Sequence, residues 1–183
     1  SPRLADTLDV WDMQLVHYGK KIIAARKRFI GELNGMIRDL HASLTGGRES
    51  IYLNYEPNVE EELLEERLAA SRDRDLKFKQ SSVGPHRDDF CVQVNDIDIR
   101  KFGSQGQQRT AALSLKLSEL ALVKKRIGEN PVLLLDDVLS ELDSSRQNYL
   151  LQSIHQIQTL ITCTGLDEFV SNRFEINKIF RVI

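Results

Sequence analysis

The stretch "PVLLLDD", Pro131–Asp137, decides the fold. Val132 to Leu135 form a continuous apolar run of the kind buried on both faces of a parallel sheet. Two carboxylates close it. A parallel strand presents its last side chain at the carboxyl edge of the sheet, where ligands bind. There Asp136 can hold a magnesium ion through water, and Asp137 can polarise an attacking water. Taken alone, a strand ending in Asp-Asp is also ordinary turn chemistry.

Upstream lies "KFGSQGQQRT", Lys101–Thr110, directly before a long apolar-periodic run read as a helix from about Gln105 to Ile127, with Leu113, Leu117, Leu120 and Val123 on one face. Ser104 and the amides around Gly106 stand where a helix N-terminus attracts an anion, and Arg109 adds charge one turn in. The chain contains no Gly-x-x-x-x-Gly-Lys-[Ser/Thr], so it lacks the usual nucleotide cradle. Downstream come "SELD" with Asp143, a helix around Ser144 to Ile154, a strand "TLITC", a short helix near Asp167 and a final strand "INKIFRVI". Glycine loop, helix, acidic strand and polar turn in this order are more specific than any one of them. Strands alternating with helices predict an α/β lobe with a partly parallel sheet.

Further upstream, "DDFCVQVNDIDIRKF" alternates around Asn95-Asp96 and predicts a β-hairpin. The first forty-odd residues predict one long helix, capped by Asp6 or Thr7 and ended by Gly46-Gly47. Its apolar stripe runs through Leu8, Trp11, Leu15, Tyr18, Ile22, Ala25 and Phe29, then shifts to Leu33, Met36, Ile37, Leu40 and Leu44. At about 60 Å such a helix suits an arm packed on a second helix, although a buried core helix is the plainer alternative. A strand over Ile51, Leu53 and Tyr55 follows. Asn58 then opens a returning helix whose Leu63, Leu64 and Leu68 face the first. Residues 1–80 thus form a mainly helical arm domain and residues 81–183 the α/β lobe.

Hydrophobic residues make up 41% and charged residues 28% of 183 residues, which argues against disorder. No apolar run reaches membrane-spanning length, and no signal peptide precedes the first helix, so a cytoplasmic protein is expected. Cys91 and Cys163 lie apart in apolar segments and read as reduced core residues. A net charge of −2 leaves nucleic-acid binding to local basic patches. The candidates are Lys20, Lys21, Lys27 and Arg28 on the long helix, Lys124 to Arg126 near a helix end, and Arg100 and Lys101 beside the glycine loop; a solvated helix face explains the helical clusters equally well. His86 lacks the neighbouring ligands that a metal site needs and reads as structural. His17, His41 and His155 suggest no role. The Ser-Pro-Arg start reads as that of a fragment or a tag remnant.

"GSQGQQRTAALSLKLSELAL…PVLLLDDVLSELDSSRQNYLL…TLITCT", with "GPHRDDF" and "LDVWDMQLVHYG", resembles the RecF family of ABC-type DNA-repair ATPases over nearly the whole chain. The resemblance implies the C-terminal half of an ABC-type ATPase head plus an arm. It makes Ser104, Gln105, Gly106, Gln107, Gln108 and Arg109 the signature motif, which in such heads binds the γ-phosphate of ATP held by a partner subunit. Asp136 would be the magnesium aspartate, and Asp137 would take the catalytic position where most ABC proteins have Glu. Ser140, Glu141, Leu142 and Asp143 would form the loop that crosses the dimer seam. A switch histidine is missing, with Thr162, Cys163 and Thr164 in its region. Both departures imply slow hydrolysis.

The implied function is ATP-dependent DNA binding in recombinational gap repair, replication and the SOS response. Its cofactors would be ATP and Mg2+. Its partners would be gapped DNA, a second copy of the head and mediators such as RecR. Without a Walker A segment the chain alone is expected neither to hydrolyse ATP nor to bind it tightly. The alternative is the C-terminal head half of an SMC-like chromosome organiser, disfavoured because a strand interrupts the two arm helices.

Overall fold

A proline near its start and two glycines past its end bracket an uninterrupted helix, α1 (Pro2–Thr45, 44 residues). In the computed structural model, which describes residues 2–139, 142–163 and 178–180, α1 is about 66 Å long at 1.5 Å per residue. Gly46 and Gly47 both adopt positive φ, 63° and 73°, and turn the chain back. The helix therefore starts before Asp6 and Thr7, and neither is its cap.

The chain returns as β1 (Ile51–Glu56). A short 3-10 turn (Glu61–Leu63) leads into α2 (Leu64–Phe78), so the second helix begins later than Asn58. Asn58 is instead a brace: its side chain accepts from Gly84 N at 3.1 Å. A 3-10 turn (Pro85–Arg87) precedes β2 (Asp89–Val94), which turns at Asn95 and Asp96, both at positive φ, into β3 (Ile97–Asp98). This is the expected hairpin, but its second strand is short. "IRKF" is a helical turn, α3 (Ile99–Phe102), because the Asp98 side chain accepts from Arg100 N and caps it. Then come α4 (Gln105–Ile127), β4 (Leu133–Asp136), α5 (Ser144–Ser153) and β5 (Thr159–Thr162). The short helix near Asp167 lies outside the described residues, as does most of the expected last strand, of which only 178–180 are described, outside any strand.

Two sheets result. β1, β2 and β3 form an antiparallel sheet in which Ile51 to Glu56 run opposite Val94 to Asp89. β4 and β5 form a parallel pair, with Leu133 to Asp136 beside Thr159 to Thr162. β1 belongs to the first eighty residues and β2 to the remainder, so one ladder joins the two spans. The free edge of β1 is closed by Asn34 of α1, whose amide donates to Leu53 O at 2.7 Å and accepts from Leu53 N at 2.8 Å. It mimics a neighbouring strand.

Three apolar clusters pack these elements. Leu33 and Ile37 of α1 meet Ile51 and Leu53 of β1, Val94 of β2 and Ala111 and Leu122 of α4. Leu44, Leu113 and Leu117 meet Leu135 of β4 and Leu150 and Leu151 of α5. Ile23 meets Leu64 and Leu68 of α2. On α4, Leu113 and Leu117 pack as expected, but Val123 is exposed, and Leu122 is buried on another face, in the cluster of Leu33 and Ile37.

The N-terminal part of α1 differs from its reading. Trp11, Leu15, Tyr18, Ile22 and Phe29 are exposed, Trp11 by 61%. The face turned to α2 is Val16, Gly19 and Ile23. The cause is Gly19: a Cβ there would stand 2.7 Å from Leu64 Cδ2, so the two helices meet over the residue that has none. Leu63, expected to face α1, is 43% exposed. Cys91 is buried, but Cys163 is exposed just past the end of β5, so only one of the two is a core residue.

Candidate functional site

Ser104 opens α4 with a capping box: its hydroxyl accepts from Gln107 N at 3.2 Å, and Gln107 Oε1 accepts from Ser104 N at 3.1 Å. Gly103 precedes it because a Cβ there would lie 2.6 Å from Ile99 O. Ser104, Gln105, Gly106, Gln108 and Arg109 are exposed, and Gln107 is half-buried. The first amides of a helix have no intrahelical acceptor, so this exposed turn can bind an anion. Two of its side chains face inward. Gln107 Nε2 donates to Glu49 at 3.2 Å, and Gln108 Nε2 donates to Ile99 O at 2.8 Å.

The acidic corner forms at the end of β4. Asp136 is exposed and accepts a hydrogen bond from the Thr162 hydroxyl, its register partner on β5. Asp137 N donates to Thr162 O at 3.1 Å, with the Thr162 hydroxyl also 3.1 Å away. Asp137 itself adopts φ 50°, a left-handed conformation that short polar side chains tolerate best. An aspartate rather than the longer glutamate at this position suits that turn. Among the described residues no group of three His, Cys, Asp or Glu forms a metal cage. One strand-end carboxylate does fit a hydrated magnesium ion, which takes one or two carboxylates and otherwise water and phosphate oxygens.

Asp143 caps α5, accepting from Arg146 N at 3.0 Å and pairing with the Arg146 guanidinium. The Arg146 amide and charge hold its carboxyl below the usual range. Leu142 is buried beside it, while Ser140 and Glu141 lie outside the described residues, as does Thr164. α4 and β4 share a core through Leu113, Leu117 and Leu135, which fixes the helix carrying the glycine loop relative to the strand carrying the aspartates.

The basic candidates are mostly engaged within the chain. Lys27 pairs with Glu60 at 2.9 Å, Arg100 with Asp89 at 2.7 Å, and Lys101 with Asp98 at 3.4 Å. Arg126, at the end of α4, pairs with Glu32 at 2.9 Å. Lys20 is half-buried, Lys21 lies 5.7 Å from the Tyr18 ring centroid, and Arg28 is exposed.

The contacts of three residues, Asp88, His41 and Glu49, escaped the sequence reading. Asp88 anchors the "GPHRDD" turn: it pairs with Arg26 at 2.8 Å, takes the Tyr55 hydroxyl and accepts from Asn58 N at 3.0 Å, with only 2% of its side chain exposed. His86 faces the same turn, with Nε2 3.1 Å from Ser81 O. His41 and Glu49 form a buried contact under the glycine loop. A signal for His41 was present, since it falls on the core register Leu33, Ile37, His41, Leu44.

Comparison with known proteins bears on this site. No family model matches the chain. The DNA replication and repair protein RecF of Agathobacter rectalis is 60% identical over 182 residues, all of this chain and 50% of the relative. RecF of Clostridium perfringens is 44% identical over 97% of this chain and 51% of its own length. A solved structure of the recombination mediator protein RecF-ATPrS in the RecFOR pathway superposes with a TM-score of 0.77 at 37% identity, over 90% of this chain and 46% of that one. The corresponding RecF-ATP structure gives 0.76 at 38% identity. The chain spans about half the length of the curated relatives it matches. The identity over the whole chain and the superposition of its fold support the chain as a C-terminal fragment of a RecF-type protein.

Proposed function

We propose that this chain supplies the signature and magnesium-aspartate side of a RecF-type ATPase head that joins a second head around ATP in recombinational DNA repair. The observation that carries the reading is the exposed, capped turn Ser104–Arg109 at the start of α4, held by a shared core to the strand that ends in Asp136. Ser104, Gln105, Gly106, Gln107, Gln108 and Arg109 contact the γ-phosphate held by the other head, with the first amides of α4 facing it. Asp136 would hold Mg2+, which would supply charge neutralisation for the phosphates. Thr162 steadies the Asp136 carboxylate, Asp137 positions the attacking water, and Asp143 fixes the turn at the seam between heads. DNA at gap junctions, a second copy of the protein and a mediator such as RecR are the partners, in the cytoplasm. Lys20, Lys21, Lys27, Arg28, Arg100 and Lys101 are the DNA candidates, with Lys21 and Arg28 foremost because they are exposed and no ion pair among the described residues ties them.

Light scattering of the full-length protein tests this. Ser104→Arg should abolish ATP-driven association while ATP binding persists, because the cradle for that subunit's own ATP lies elsewhere. The 183-residue chain alone should show no ATPase. Turnover by the isolated chain that Asp136→Asn removes would refute the division of labour.

A further inference from the structure

α1 ends beneath the glycine loop, and the contact there is polar. His41 is fully buried, one turn before the end of α1. Its Nδ1 lies 2.9 Å from Ser114 Oγ on α4, and its Nε2 lies 3.3 Å from Glu49 Oε2, an ion-pair distance without hydrogen-bond alignment. The other oxygen of Glu49 accepts from Gln107 Nε2, and Gln107 closes the capping box with Ser104. On α4 the stripe Thr110, Ser114 and Ser118 is fully buried, and each hydroxyl donates to the carbonyl four residues back. The His41–Ser114 hydrogen bond therefore joins the last turns of α1 to a face of α4 whose hydroxyls are otherwise satisfied within that helix.

An apolar seam of the same size would stabilise the fold at less desolvation cost. A polar contact across the seam instead favours one arrangement of α1 on α4, although His41 Nε2 has no aligned hydrogen-bond partner. Burial lowers the pKa of His41, and the nearby Arg146 charge acts in the same direction against the opposing effect of Glu49.

We propose that His41 and Glu49 are positioning residues that lock the Ser104–Gln107 turn to the end of α1, so that displacement of the arm is transmitted to the phosphate-facing loop. The proposal rests on the ATP-dependent reading above and adds its regulation. Glu49 is the informative position, because it touches the loop directly and only 21% of its side chain is exposed.

Two measurements separate the claims. In the 183-residue chain, Glu49→Ala should speed amide exchange at Gln107 and Gln108 about tenfold, with β1 and β2 unchanged, and Glu49→Gln, which keeps an acceptor for Gln107, should restore it. Unchanged exchange at the loop, or equal effects of Ala and Gln, would overturn the proposal. In the full-length protein, Glu49→Ala should raise the ATP concentration for half-maximal association about tenfold and Glu49→Gln by less than about threefold. If association responds to Ser104→Arg but not to Glu49→Ala, the lock is not functional and the proposal fails. If it responds to neither while loop exchange does change, the ATP-dependent reading fails and the mechanical lock stands.

Discussion

The antiparallel sheet and the parallel pair are finished to different degrees. β1–β2–β3 has its inner face filled by Ile51, Leu53 and Val94 against α1 and α4, and its edge closed by Asn34. β4–β5 buries Leu135 on one face, while on the other Leu134 is 72% exposed and its register partner Leu160 is 54% exposed. Parallel sheets in α/β proteins are covered on both faces, so the first sheet is a completed core and the second an open one. The candidate chemistry sits on the open sheet. Asp136 and Asp137 leave a strand that the described residues support from one side only.

Truncations on the two sheets should differ most. Leu53, fully buried in the closed sheet, should lose about 2–5 kcal/mol on Leu53→Ala, measured by urea unfolding. Leu134→Ala in the same chain should cost less than about 0.5 kcal/mol, because the side chain is already in water. Equal costs would erase the distinction. Repeating Leu134→Ala in the full-length protein sharpens it: a cost near that of Leu53→Ala means that another layer covers this face.

The arm gives a second, smaller contrast. Where α1 meets α2, Gly19→Ala places a methyl group 2.7 Å from Leu64 Cδ2 and should cost about 1–3 kcal/mol through overpacking, despite the better helix propensity of alanine. At Gly31, where a Cβ meets nothing, the same substitution should stabilise by about 0.5–1 kcal/mol. Stabilisation at both positions would mean that α1 and α2 do not hold each other at Gly19.

This contrast also shows what was legible in the sequence. The order of elements from α1 to β5, α3 apart, the hairpin turn at Asn95-Asp96 and the parallel strand ending in Asp136 follow from local patterns and were readable. The packing face of α1 was not, because the seven-residue stripe through Trp11 and Tyr18 is stronger than the one α2 uses, and the decisive residue, Gly19, has no hydrophobicity to register. The pairing of β1 with β2 spans more than thirty residues and leaves no local trace. At the candidate site, the loop and the aspartates were visible as motifs. The contacts of their supports, Thr162, Glu49 and His41, were not, since each acts through a partner distant in sequence, and only the register of His41 hinted at its burial.

The smallest expected effect lies where β1 meets the "GPHRDD" turn. Burial, with the hydrogen bond and charge of Asp88, raises the pKa of the Tyr55 hydroxyl well above its ordinary value. A raised folded value means that the native state holds this proton more tightly than the unfolded chain does. Its contribution is therefore complete below about pH 10, where unfolded tyrosine titrates, and is lost as the pH rises beyond it. Lys27, raised by its bond to Glu60, shifts stability in the same direction, so the wild-type slope alone does not isolate Tyr55. The difference between wild type and Tyr55→Phe does. Their urea midpoints should keep a constant separation from about pH 7 to 9 and begin to approach each other as the pH rises past about 10. Parallel curves over the whole range would mean that the Tyr55 hydroxyl does not hold the turn, leaving Arg26 and Asn58 as the anchors of Asp88.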